Sequence, residues 1–157
     1  MNKNKFIFGL IAIWVCSAQP VCADIIIFGL EDFRFGKWVL GVGPLRTSSS
    51  FCVSVRPPAP YQVTAFGSGS SNALTLSNGF DSLPYRIFFN DRPRPNGASE
   101  LQPGQALGGL RSSRHGQNRQ QCNRPTANIS ILISETDLEQ SSSGSYSGTV
   151  MLVVGPE

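Results

Sequence analysis

His115 is the single histidine of this 157-residue chain, and residues 111–121 around it (RSSRHGQNRQQ) contain no acid. An imidazole acts as a base only with a carboxylate or nucleophile held within hydrogen-bond reach. No G-x-S-x-G elbow supplies such a nucleophile. Glu31 and Asp32 are adjacent, and Glu135, Asp137 and Glu139 alternate. Acids so placed, at turns and strand ends, read as solubilising charges rather than an acid–base pair. Gly41-Val42-Gly43 and Gly67-Ser68-Gly69 lack the following helix and lysine that a phosphate cradle needs. The expectation is a protein that is not an enzyme, with no catalytic residue and no cofactor.

The cysteines carry the remaining chemistry. Cys16 and Cys22 fall in an N-terminal segment, whereas Cys52 and Cys122 lie in the body of the chain. Two cysteines without CxxC spacing, beside one histidine, make a poor zinc set, so no metal site is expected. In an oxidising compartment the two thiols have only each other, and a Cys52–Cys122 disulfide is the default. Such a bridge closes a loop of about 70 residues, which contributes about 4 kcal/mol on the chain-entropy model.

The N-terminal segment supports that compartment. Lys3 and Lys5 precede a short apolar run, FIFGLIAIWV, and Val21-Cys22-Ala23 follows with small residues where a signal peptidase reads. This pattern predicts a secretory signal peptide over residues 1–23 and a mature domain over residues 24–157. No other stretch is apolar for long enough to predict a membrane span in the mature chain. The net charge of +3 owes two units to Lys3 and Lys5. A near-neutral mature chain gives no reason to expect nucleic acid as a partner.

The remaining sequence is rich in Gly, Ser, Pro and Asn between short apolar runs, which suits an all-β sandwich or barrel. Period-two alternation predicts inward faces at Phe51, Val53 and Val55; at Tyr61, Val63 and Ala65; at Leu74 and Leu76; at Tyr85, Ile87 and Phe89; and at Ile129, Ile131 and Ile133. Residues 90–109 and 111–121 read as long polar connections. Most of the mature chain's basic residues lie between Arg86 and Arg124, either as an anion- or receptor-binding loop or as a solvated connection. Asn128-Ile129-Ser130 matches a glycosylation sequon but falls inside a predicted strand.

The last predicted strand, residues 146–154, alternates at first and then runs apolar on both faces through Val150-Met151-Leu152-Val153-Val154. Such a strand belongs inside a sheet or sandwich. Only Gly155-Pro156-Glu157 follows it, so the place beside it is expected to be filled by an earlier strand of the chain or by a strand from another chain. Tyr146, Val150, Leu152 and Val154 are the candidate groove residues. Ile26, Phe28 and Leu30 alternate, and are candidates either for a donor segment or for the domain's own first strand.

Several motifs stand in one order along the chain: Phe33-Arg34-Phe35-Gly36-Lys37-Trp38, Ser50-Phe51-Cys52-Val53-Ser54-Val55, Tyr61-Gln62-Val63-Thr64, Leu83-Pro84-Tyr85-Arg86-Ile87, and Gly144-Ser145-Tyr146-Ser147-Gly148-Thr149-Val150. In their order and spacing they resemble the spore coat protein U domain family, which includes subunits of archaic chaperone–usher pili. The resemblance implies an immunoglobulin-like sandwich that lacks its last strand. It implies a structural pilus subunit assembled by donor-strand complementation. Its partners would be a periplasmic pilus chaperone, an outer-membrane usher and other pilus subunits. It would pass through the periplasm to the surface of a Gram-negative bacterium. A tip adhesin and a self-contained exported sandwich are the other two readings of the same features.

Overall fold

The structure is a computed structural model, and it describes residues 23–112 and 124–157. The expected signal segment before Ala23, together with His115, Arg114, Arg119 and Cys122, lies outside the described residues.

The strand order follows from where apolar alternation is strong. Strand β1 (Asp24–Phe28) pairs antiparallel with the second half of the long β2 (Leu45–Arg56), with Ile27 opposite Val53 and Ile25 opposite Val55. The first half of β2 pairs instead with β9 (Ala127–Ile133). Strand β6 (Arg86–Asn90) pairs with β9 on one side and with the short β7 (Ser99–Leu101) on the other. The result is a five-stranded sheet of order β1-β2-β9-β6-β7. A second sheet has β3 (Pro60–Gly67) at its centre, with β8 (Leu107–Arg111) and β10 (Val150–Pro156) at its edges. Strands β4 (Thr75–Ser77) and β5 (Ser82–Pro84) form a separate hairpin. The fold is an all-β sandwich.

The core lies where the predicted inward faces meet. Val53, Val55, Val63, Ala65, Ile87 and Ile129 are fully buried, and Phe51, Tyr61 and Phe89 nearly so. Phe89 packs edge-on against both Phe51 and Tyr61, the arrangement that aromatic quadrupoles favour. Desolvation there pushes the Tyr61 phenol far above its ordinary range, so it stays neutral.

Three features depart from the sequence expectation. The segment expected to be one long polar connection contains β7 and β8. Strand β8 escapes a period-two reading because Leu107 and Leu110 are three apart and the β3–β8 register shifts between Tyr61 and Val63. The acids after Ile133 belong to a short helix, α1 (Glu135–Gln140). Ser134 caps it by accepting the Asp137 N–H at 3.1 Å. Glu135 reaches across to accept the Gly43 N–H at 3.2 Å. The last strand starts at Val150 rather than Tyr146, and before it only Ser147 forms a bridge, with Ser77. The sequon at Asn128 is inside β9, where Asn128 is buried and donates to the Ser50 hydroxyl at 2.9 Å.

Candidate functional site

The edges of the two sheets leave one side of the sandwich open. Strand β10 is bonded to β3 along one edge only, in a register that sets Val150 opposite Gly67, Leu152 opposite Ala65 and Val154 opposite Val63. Its residues alternate: Val150, Leu152 and Val154 turn toward the core but remain half-exposed, whereas Met151 and Val153 point outward and are exposed. The pattern that reads as apolar on both faces is therefore an edge strand with an uncovered outer face. Strand β1, at the edge of the other sheet, approaches β10 without pairing to it.

After β1 the chain runs along this side as an extended arm, residues 29–38, with no strand ladder of its own. Phe33, Phe35 and Trp38 of the arm pack against the core. Trp38 donates its indole N–H to the Gly43 carbonyl at 2.8 Å, closing the turn back into β2. Gly41 and Gly43 within that turn have φ of 82° and 90°, a conformation open to glycine at little cost.

Between the arm and β10 lies a groove of about 530 Å³. Leu30, Phe33 and Phe35 form one wall, and Gly148, Thr149, Val150 and Leu152 the other. Tyr85, Ile129 and Ile131 of the core are its floor, with Glu31, Asp32 and Arg34 at the rim. Burial raises the Tyr85 phenol above its ordinary range, so the floor is neutral. An extended segment laid here would meet apolar side chains on its inner face and unpaired backbone groups along β10. Gly148 fits this wall because a side chain there would meet the Thr75 carbonyl at 2.9 Å.

The expected site residues separate. Val150 and Leu152 line the groove, and Val154 continues their face along β10. Tyr146 does not line it. It borders a neighbouring cavity of about 740 Å³ beside Trp38 and Leu138. Its hydroxyl lies 3.2 Å from an Asp81 carboxylate oxygen and donates to the Ser142 carbonyl at 2.9 Å. The backbone N–H groups of Ser142 and Ser82 hold Asp81 below the usual carboxylate range. Of the candidate donor segment, Ile26 and Phe28 sit in β1, paired in cis to β2, while Ile25 and Ile27 are the residues that pack on the core. Leu30 is past the strand and 42% exposed at the groove wall. Sequence reasoning missed the opposite wall, Phe33 and Phe35, as part of the site, although it singled out their motif.

Cys52 is 2% exposed. Its sulfur lies 3.2 Å from the Arg124 carbonyl oxygen, and Cys122 lies outside the described residues. No group of three or more His, Cys, Asp or Glu residues that could hold a metal ion occurs among the described residues. No helix among them is long and apolar enough to cross a membrane.

The groove and the open β10 edge belong to an all-β sandwich whose fold has a counterpart among solved structures. A solved chain from a chaperone–tip adhesin complex of CFA/I fimbriae biogenesis superposes with a TM-score of 0.52 at 13% sequence identity. The match covers 87% of this chain and 42% of that chain, so this chain spans less than half of its neighbour's length. At that identity the likeness is one of fold. No family model matches the sequence, and no curated protein matches it.

Proposed function

We propose that this chain is a non-enzymatic structural subunit of a surface pilus of the chaperone–usher type, related to the spore coat protein U domain family. The observation that carries the reading is the groove beside β10. It has an apolar floor at Ile129 and Ile131, an apolar wall at Val150 and Leu152, and a strand edge bonded on one side only. That combination accepts an extended segment by β-augmentation, in which the main chain supplies affinity and alternate side chains supply fit. Each aliphatic side chain buried there contributes roughly 1.5–3 kcal/mol, so a few of them rival the whole stability of a domain. A periplasmic chaperone would supply the segment first, and another pilus subunit would replace it at an outer-membrane usher. The fold shared with a chain from a fimbrial chaperone–adhesin complex supports the same reading.

Export through the signal peptide over residues 1–23 and a Cys52–Cys122 bridge belong to this proposal. The Arg124 carbonyl beside the Cys52 sulfur brings the chain two residues past Cys122 to within reach of the bridge. The test is co-expression with and without the cognate chaperone, followed by size-exclusion of the periplasmic extract. A stoichiometric complex with the chaperone, and aggregation or degradation without it, is the expected result. An equal yield of free, folded monomer in both cases would overturn it.

A further inference from the structure

The end of the sandwich where β2 hands over to β3 carries arginines that the groove does not use. Asn90 ends β6 there, and it is 7% exposed. Its amide donates to the Arg94 carbonyl at 3.0 Å and to the Asn96 carbonyl at 2.9 Å, and accepts the Arg92 N–H at 3.1 Å. One buried side chain thus clamps the loop Asp91-Arg92-Pro93-Arg94-Pro95-Asn96 at three points, and its two prolines restrict it further. Arg92 and Arg94 point from this loop into solvent. Arg111, also exposed, is tied alongside, because its backbone N–H donates to the Asp91 carboxylate at 3.1 Å.

This end is net positive, with Arg92, Arg94 and Arg111 against the carboxylates of Asp91 and Glu157. Asp91 is committed to the Arg111 backbone, and Glu157 to the Gly109 N–H at 2.9 Å. The ion pair of Arg86 with Glu100 lies elsewhere, on β6 and β7. No ion pair engages the guanidinium groups of Arg92, Arg94 or Arg111 among the described residues. Three guanidinium groups on braced backbone present planar donor forks, which match carboxylate and sulfate oxygens in pairs. Bracing lowers the ordering cost that usually offsets binding by loop side chains.

We propose that the Arg92–Arg94–Arg111 surface binds an acidic polysaccharide through its sulfate or carboxylate groups. Nucleic acid is the less fitting polyanion. Single strands are gripped by exposed aromatic platforms, and the fully exposed aromatic side chain among the described residues, Phe80, tips the β4–β5 hairpin at the opposite end. The inference is independent of the groove and stands whether or not a strand occupies it.

The test measures binding of the full exported chain to heparin, to alginate and to a single-stranded oligonucleotide. Heparin reports sulfate recognition and alginate carboxylate recognition, and binding to either supports the proposal. The R92S/R94S/R111S variant should bind the preferred polysaccharide about tenfold more weakly or worse, the loss of at least one charge-assisted contact. The K37S/R46S variant, which removes the same type of charge from the arm and the start of β2, should bind like wild type. Absence of polysaccharide binding, an equal loss in both variants, or tighter binding of the oligonucleotide would each overturn the proposal. These outcomes are separate from chaperone capture, which reads the groove alone.

Discussion

Thr126 stands in for a strand residue opposite Val53. Its hydroxyl accepts the Val53 N–H at 2.9 Å and donates back to the Val53 carbonyl at 3.1 Å, while its own N–H reaches the Phe51 carbonyl at 2.9 Å. The β2–β9 ladder ends at Phe51 and Ala127, so this side chain satisfies backbone groups that the ladder leaves behind. Thr126 is 2% exposed, and water cannot replace it. Thr126→Val keeps the shape and strands the Val53 N–H, while the Val53 carbonyl still accepts the Ser112 hydroxyl at 2.9 Å; the change is expected to cost about 1–3 kcal/mol. Thr126→Ser should keep most of the stability. Urea denaturation of the strand-bound protein measures both.

The two faces of β10 should separate in mutagenesis. Changing Val150, Leu152 and Val154 to Thr removes the groove's apolar wall and should abolish chaperone capture, with roughly 1–3 kcal/mol lost per side chain. Changing Met151 and Val153 to Thr alters only the exposed face, where substitutions usually stay within about 0.5 kcal/mol. Pull-down by the chaperone distinguishes the two sets.

Strand β1 bears on whether the N-terminal segment donates in trans. With Ile25 and Ile27 on the core and five residues paired to β2, deletion of residues 24–29 is expected to unfold the subunit. Circular dichroism of the chaperone-bound deletion tests this. A folded, chaperone-competent deletion would instead return Ile26, Phe28 and Leu30 to the donor role.

The expected Cys52–Cys122 bridge is open to intact-mass measurement after periplasmic expression. A mass two hydrogens below the fully reduced chain is the expected result. Cys52→Ser should then cost about 2–5 kcal/mol and lower the yield.

Acid should loosen the clasp between the β4–β5 hairpin and residues 141–146. Asp81 has a depressed carboxyl pKa in the fold, held down first by the Ser142 N–H and then by the Ser82 N–H. Its contribution is present above the ordinary carboxylate range and is lost as pH falls through the depressed folded value. Chemical shifts of the Ser142 and Ser82 amides should follow that titration, and Asp81→Asn should flatten it.

How much of this was legible beforehand depended on alternation. The faces at Phe51, Val53 and Val55, at Tyr61, Val63 and Ala65, and at Ile129, Ile131 and Ile133 all turn inward as the period of two predicts. The sequence could not choose a face for β1, because Ile25, Ile26, Ile27 and Phe28 are apolar without a break. Pairing with Val53 and Val55 made that choice, and a one-residue change of register would have reversed it. Tyr146 sits apart from the groove lining because its hydroxyl is held by Asp81 and Ser142, which are distant from each other in sequence. The groove wall on the arm was hidden for a related reason. Phe33 and Phe35 lie on backbone without a ladder, so their burial comes from tertiary packing alone.

The most direct test of the open groove is thermal unfolding of the mature chain as a peptide of alternating Val, Ile and Leu is titrated in. If β10 is an edge awaiting a strand, the free chain should aggregate or melt broadly. The peptide should then produce a sharp, cooperative transition whose midpoint rises with its concentration, and Leu152→Thr should abolish that response. A free chain that already unfolds as a cooperative monomer, with a midpoint unmoved by saturating peptide, would contradict the account.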